Sequence, residues 1–277
     1  VTVPATTAAA TTPGFGSRAR PTLVYALAAV VGAAAFLYPF WIPSTAVPNA
    51  AHAGDAPLVA GLLGGLVVLA VALEIRRGTM NGATVAVLGV LAASAGLLRL
   101  LGLVGGGNGI YFLVILAGVA FGPRFGMLLG LCAMAVSAVI TGGIGPWLPF
   151  QMLGLAAIGA TAGGLGLLTA RWPARVEVMV VAAFGWGWGF LYGAIMNLWF
   201  WPFVRDGGPL SWAPGMSAGT TVQHYWSFYV ATSLPWDAAS ALANAALILL
   251  TGVVVLRTLR RFAHRLEPVV ELGPPVT

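Results

Sequence analysis

Eight apolar runs divide the chain, at residues 22–42, 57–75, 81–103, 109–122, 124–141, 146–170, 177–201 and 236–257. A helix rises 1.5 Å per residue, so crossing a hydrocarbon core takes about 20 apolar residues. Most of the runs meet that length, and they predict helices that cross a membrane. The run at 109–122 is short and predicts a thin, tilted or partly buried helix. The expected fold is an all-α integral membrane protein of about eight transmembrane helices.

The breaks between runs alternate in kind. One set carries arginine: Arg18 and Arg20, Arg76 and Arg77, Arg124, Arg171 and Arg175, then Arg257, Arg260, Arg261 and Arg265. The other set carries only Arg99 and Arg205, so eleven of thirteen basic residues fall on one side. Cytoplasmic connections collect Arg and Lys. This alternation predicts a multi-pass cell-membrane protein with both termini in the cytoplasm, and a seven-span count would put the C-terminal cluster on the wrong side. Residues 1–20, rich in Ala, Thr, Pro and Gly, read as a disordered cytoplasmic tail, and 261–277 as a second one. Arg18 and Arg20 before an apolar run also suit a signal peptide, but the run exceeds a usual signal core, which favours an uncleaved span.

Composition agrees. The chain has 277 residues, 59% hydrophobic and only 7% charged, with mean hydropathy +0.94. Soluble domains carry roughly 25% charged residues. The net charge of +6 comes from arginine in short clusters between spans and gives no reason to expect a nucleic-acid partner. Cys132 lies in an apolar run and reads as a packing residue.

The outer connections hold the candidate chemistry. Residues 43–56 are short and polar, 105–109 form a glycine link, and 202–235 are long and aromatic, a length usual for a lid or binding loop. The third outer connection is Thr141-Gly142-Gly143-Ile144-Gly145-Pro146-Trp147-Leu148-Pro149-Phe150-Gln151-Met152. Such irregular backbone is tolerated at membrane depth only where it is buried in protein or lines a cavity. Polar groups at that depth are costly and are functional candidates. Arg99, Asn108, Thr141, Gln151, Asn197, Asp237 and Asn244 all lie toward the outer ends, with Trp147, Trp199, Trp201, Trp212, Trp226 and Trp236 near them. Aromatic walls with a few fixed polar groups suit an organic ligand. Glu74 and Glu177, on the inner side, are expected to be solvated.

Glycines at 122, 126 and 130, at 185, 189 and 193, and at 159 and 163 place small residues on one helix face for close packing. Gly89 with Ala93, and Ala92 with Gly96, repeat that spacing in the third run, and read equally as internal packing or as a docking face. Catalytic motifs are sparse. His52, His224 and His264 are not paired at helical spacing, and no HExxH, paired intramembrane carboxylate, cysteine cluster or Walker A sequence occurs. No cofactor or metal is expected.

The stretch 118–152, with Gly118-Val119-Ala120-Phe121-Gly122-Pro123-Arg124-Phe125-Gly126, Ser137, the Gly-Pro-Trp-Leu-Pro-Phe-Gln-Met segment, and Gly159 and Gly163 beyond, resembles the substrate-binding S component of energy-coupling factor (ECF) transporters. The resemblance runs from about residue 81 to the C-terminus. It implies a six-helix core over 81–260, leaving 21–80 as a two-helix N-terminal membrane extension. It implies capture of a vitamin or related micronutrient from outside, powered by a transmembrane coupling subunit and two cytoplasmic ATPase subunits. Members similar to this chain are linked to cobalamin or its precursors; riboflavin, queuosine-type bases and thiamin precursors stay open. The small-residue face for the coupling subunit would be Gly89, Ala92, Ala93 and Gly96. The expected ligand-contacting residues are Arg99, Asn108, Thr141, Trp147, Phe150, Gln151, Asn197, Trp201, Tyr225, Asp237 and Asn244. Two other readings stand beside this one: an enzyme acting on a lipid or polyprenyl substrate, with Arg99, Asp206, His224 and Asp237 as its warrant, and a structural membrane subunit.

Overall fold

A computed structural model describes residues 15–42, 48–76, 78, 80–100 and 109–266. Among the described residues there is no strand, and nine α-helices follow in order: α1 Phe15–Leu37, α2 Ala56–Arg76, α3 Gly82–Leu98, α4 Ile110–Phe121, α5 Pro123–Thr141, α6 Leu148–Thr169, α7 Ala174–Phe200, α8 Ala218–Thr232 and α9 Leu234–Leu266. Six segments, Leu23–Phe40, Ala56–Arg76, Pro123–Thr141, Leu148–Thr169, Ala174–Phe203 and Leu234–Arg265, are long and apolar enough to cross a membrane. Helices α3 and α4 are apolar but shorter. The protein is thus an all-α, multi-pass membrane protein by length and composition. Helix α1 starts at Phe15, inside the stretch expected to be a tail.

The short α4 is the axis of the bundle. Nine of its twelve residues are buried, and α5, α6, α7 and α9 surround it. Twelve residues span only about 18 Å. A helix that short is stable at membrane depth because protein covers its ends. Asn244 of α9 supplies part of that cover: its Oδ1 accepts from the Phe112 backbone N–H at 2.7 Å, while its Nδ2 donates to the Ser240 carbonyl at 2.8 Å.

Glycine decides the tightest contacts. A β-carbon on Gly126 would overlap the Gly159 carbonyl, and one on Gly159 would overlap that of Gly126. Gly130 faces the Leu155 carbonyl and Gly163 the backbone at Pro123. Helices α5 and α6 therefore meet backbone to backbone. The second stripe lets α7 approach α9 closely: Gly189 meets the Ala241 backbone, while Gly185 makes room for the Ile248 side chain and Gly193 for the Asp237 carboxylate.

Helices α1 and α2 form a hairpin on the outside of α6. Leu23, Leu27, Val30, Leu58, Leu62, Val68 and Leu69 are exposed, the pattern of a lipid-facing surface.

Two expectations need correction. Glu74 and Glu177 are not solvated; they are 4% and 1% exposed. Arg124 Nη1 lies 3.2 Å from Glu74 Oε1. Arg260 donates twice to Glu177, at 2.8 and 2.6 Å, and the Thr169 hydroxyl adds a third bond at 2.7 Å. Both acids sit on the bundle-facing side of their helices, where a carboxylate needs a partner. The 202–235 connection is not a plain loop either. It contains α8, capped by Ser217, whose Oγ accepts from the Thr220 N–H at 3.2 Å.

Candidate ligand-binding site

At the end of the bundle away from the arginine clusters, the Thr141–Met152 stretch turns the chain from α5 into α6. Gly142 caps α5 in the left-handed conformation, at φ 67°, which glycine adopts without a Cβ penalty. Gly145 then lies under the Trp147 indole, leaving no room for a β-carbon. The indole N–H donates to the Gly143 carbonyl at 3.1 Å. Pro149 fits the first turn of α6, where its missing N–H costs nothing.

This turn separates two cavities. On one face Ile144, Pro146, Leu148, Pro149 and Met152 meet α2 around an apolar space of about 370 Å³. On the other, Trp147 and Gln151 meet the end of α7 (Met196, Asn197, Trp199, Phe200) and α8 with the residue after it (Phe228, Thr232, Ser233) around about 460 Å³. The polar groups set the second cavity apart. Gln151 Oε1, Asn197 Nδ2 and Trp199 Nε1 are buried without a hydrogen-bond partner among the described residues. Burying one such group unsatisfied costs about 1–3 kcal/mol, and native interiors hold few of them. Three on residues that share one cavity wall form a concentrated, unmet hydrogen-bonding demand. The other oxygen of the Asn197 amide is satisfied: Ser233 Oγ donates to it at 2.9 Å.

Trp147, Gln151 and Asn197 are therefore brought together as expected site residues, and Met196, Trp199, Phe200, Phe228, Thr232 and Ser233 join them. The others are placed elsewhere. Phe150 is fully buried against Phe36, His52 and Trp199 and does not line the cavity. Trp201 is buried with Trp212 and Phe228, its indole N–H donating to the Leu210 carbonyl at 2.8 Å. Tyr225 donates to the Ala194 carbonyl behind the cavity. Burial, and then the nearby Asp237 carboxylate, raise the pKa of this phenol above its ordinary value. Asn244 is spent on α4. Arg99 is half-buried at the end of α3, with Nη1 3.2 Å from Met134 Sδ and 3.3 Å from Ser137 Oγ on α5. Thr141 donates to the Ser137 carbonyl at 2.8 Å, near that contact. Asp237 lies on Gly193 with one carboxylate oxygen unpartnered. Asn108 lies outside the described residues.

Of the residues proposed for an enzyme, Arg99 is held by α5, the Asp206 carboxylate accepts from the Gly208 N–H at 3.0 Å, His224 Nδ1 pairs with the Ser211 carbonyl at 2.9 Å, and Asp237 lies on Gly193. No group of three potential metal-ligating side chains occurs among the described residues.

Sequence reasoning missed His52. It is 2% exposed, in left-handed backbone at φ 56°, between α1 and α2. Nδ1 pairs with Asp55 Oδ2 at 2.6 Å and Nε2 with the Trp199 carbonyl at 3.1 Å. The rings of Tyr38, Phe150, Trp199 and Phe203 surround it at centroid distances of 5.7, 4.6, 5.6 and 4.9 Å. The N-terminal hairpin thus holds the α7 end that carries Asn197 and Trp199. His–x–x–Asp in a short connection was the only trace in the sequence, and it is not specific.

The four small residues of α3 divide. Ala92 and Gly96 are buried, and a β-carbon on Gly96 would come within 3.2 Å of the Ser137 backbone N. Gly89 and Ala93 are exposed, and a β-carbon on Gly89 would meet nothing within 4 Å.

No protein-family model, no curated protein and no solved structure matches the chain.

Proposed function

We propose that this protein captures a small organic ligand at the outer membrane face and serves as the substrate-specific subunit of an ATP-driven importer, of the kind formed by S components of ECF transporters. The observation that carries this reading is the cavity between α6, α7 and α8, where Trp147, Gln151, Asn197 and Trp199 combine aromatic walls with three unsatisfied polar atoms. Sites of this kind fix an organic ligand by shape and orient it by a few polar groups. The arginine asymmetry supports an orientation with the cavity outside and both termini in the cytoplasm. The ligand is a vitamin or related micronutrient. A volume of about 460 Å³ suits a compact one, or one end of a bulky corrinoid.

In this reading the chain hydrolyses nothing. Two cytoplasmic ATPases and a transmembrane coupling subunit supply the work, and the coupling subunit docks on the free face of α3. Gly89 and Ala93, flanked by the exposed Val85, Val90 and Leu97, give that face the small-residue surface that lets a partner helix approach closely.

Purification of the tagged chain from its native membrane tests the assembly. A coupling subunit and two ATPases should accompany the wild type, and Gly89→Leu with Ala93→Leu should release them. A wild-type preparation free of such partners after cross-linking in the membrane would contradict the assembly.

A further inference from the structure

The lining of the cavity also limits the charge of what it takes. No ionisable side chain is among the nine residues around it: Trp147, Gln151, Met196, Asn197, Trp199, Phe200, Phe228, Thr232 and Ser233. Of the charged groups at this end of the bundle, Arg99 is held by Met134 and Ser137, Arg205 donates to the Pro202 carbonyl and lies over the Trp212 ring at 5.2 Å, and Asp237 lies on Gly193 with one carboxylate oxygen unpartnered. A carboxylate held against these residues would have no counter-charge, and burying an unpaired charge is far more costly than burying a hydrogen-bonded neutral group.

The unmet groups have a definite sense. The Trp199 indole N–H can only donate. Asn197 has its oxygen occupied by the Ser233 hydroxyl, so its free end is the donating amide nitrogen. Two donors two residues apart at the end of α7 therefore lack acceptors. Gln151 faces them from α6 with an amide that can accept from a ligand N–H.

We infer that, within the capture role proposed above and resting on it, the cavity selects an uncharged ring-bearing ligand whose buried edge carries carbonyl or ring-nitrogen acceptors beside an N–H, as in an amide- or lactam-bearing heterocycle, and excludes its carboxylate counterpart. The flat apolar surfaces of Trp147, Phe200 and Phe228 hold the ring. The acceptor edge meets Asn197 and Trp199, and the N–H meets Gln151.

Matched probes isolate the charge. Nicotinamide and nicotinate share a ring, as do indole-3-acetamide and indole-3-acetate, and each pair differs in an amide against a carboxylate. Isothermal titration of the purified full-length chain at neutral pH should favour the amide in both pairs by about tenfold or more, the order of discrimination that a site with unpaired polar groups provides. Trp199→Phe should weaken the amides and narrow the gap. Gln151→Leu, which leaves the aromatic packing of His52 and Trp199 intact, should do the same. Equal or tighter binding of the carboxylates, or no binding of any probe at millimolar concentration, overturns the selectivity. The capture reading is judged separately, by mass spectrometry of ligand retained on the purified protein. A retained anion would sink the neutral-ligand inference and leave capture standing; an empty protein would remove both.

Discussion

His52 Nε2 and the Trp199 carbonyl oxygen lie 3.1 Å apart, joining the loop between α1 and α2 to the last turn of α7 across 147 residues of sequence. The contact makes the N-terminal hairpin part of the cavity's support. His52→Ala would empty a buried aromatic cage and leave the Trp199 carbonyl without its ring partner, at a cost of about 2–4 kcal/mol. His52→Asn tolerates the left-handed backbone and keeps a polar group, so it should cost less. Thermal unfolding in detergent should rank wild type above Asn above Ala; an unchanged midpoint for the alanine variant would show that the hairpin is an appendage.

The glycines differ in what surrounds them, and the same substitution should have opposite signs. Gly126→Ala drives a methyl into the Gly159 carbonyl, and overpacking of that kind costs about 1–3 kcal/mol. Gly89→Ala meets open space inside α3 and should gain about 0.5–1 kcal/mol from helix propensity. Denaturation of both variants side by side checks this. Two destabilised proteins would mean that α3 is already covered by another chain under the conditions of the experiment.

Glu177 depends on Arg260. Arg260→Ala leaves a carboxylate that is 1% exposed with the Thr169 hydroxyl as its remaining described partner, and should cost about 3 kcal/mol. The double change Glu177→Leu with Arg260→Met removes both charges and should recover most of that loss, because a buried pair is worth little more than an apolar pair of similar volume. Additive losses in the double-mutant cycle would contradict the pairing.

Much of this architecture was legible in the sequence because the bilayer imposes lengths and arginine marks one side of it. The glycine spacings marked the faces that pack closely, because a residue without a side chain lets a neighbouring helix approach, but which helices pair was not readable from them. What was hidden depended on knowing neighbours. Helix α8 mixes Thr, Gln and His with aromatics, so no apolar period marks it, although Ser217 and Thr220 signal its start. Glu74 and Glu177 looked solvated because they lie near helix ends; whether such an acid faces water or the bundle depends on the rotation of its helix. The same rotation divides Gly89 and Ala93 from Ala92 and Gly96, three residues on in each case. Trp147, Gln151 and Asn197 stood out because polar and aromatic residues are conspicuous near span ends, whereas Phe150, one helical step of about 100° from Gln151, is buried against Phe36 and His52.

The proposed function requires that the cavity at Gln151, Asn197 and Trp199 hold a small molecule. Native mass spectrometry of the protein released from its own membrane measures this directly, with the Gln151→Ala, Asn197→Ala double variant prepared in parallel. One retained small molecule per wild-type chain is expected, and its loss from a double variant that keeps the wild-type unfolding midpoint. The same retained mass on both proteins, or none on either, would contradict it.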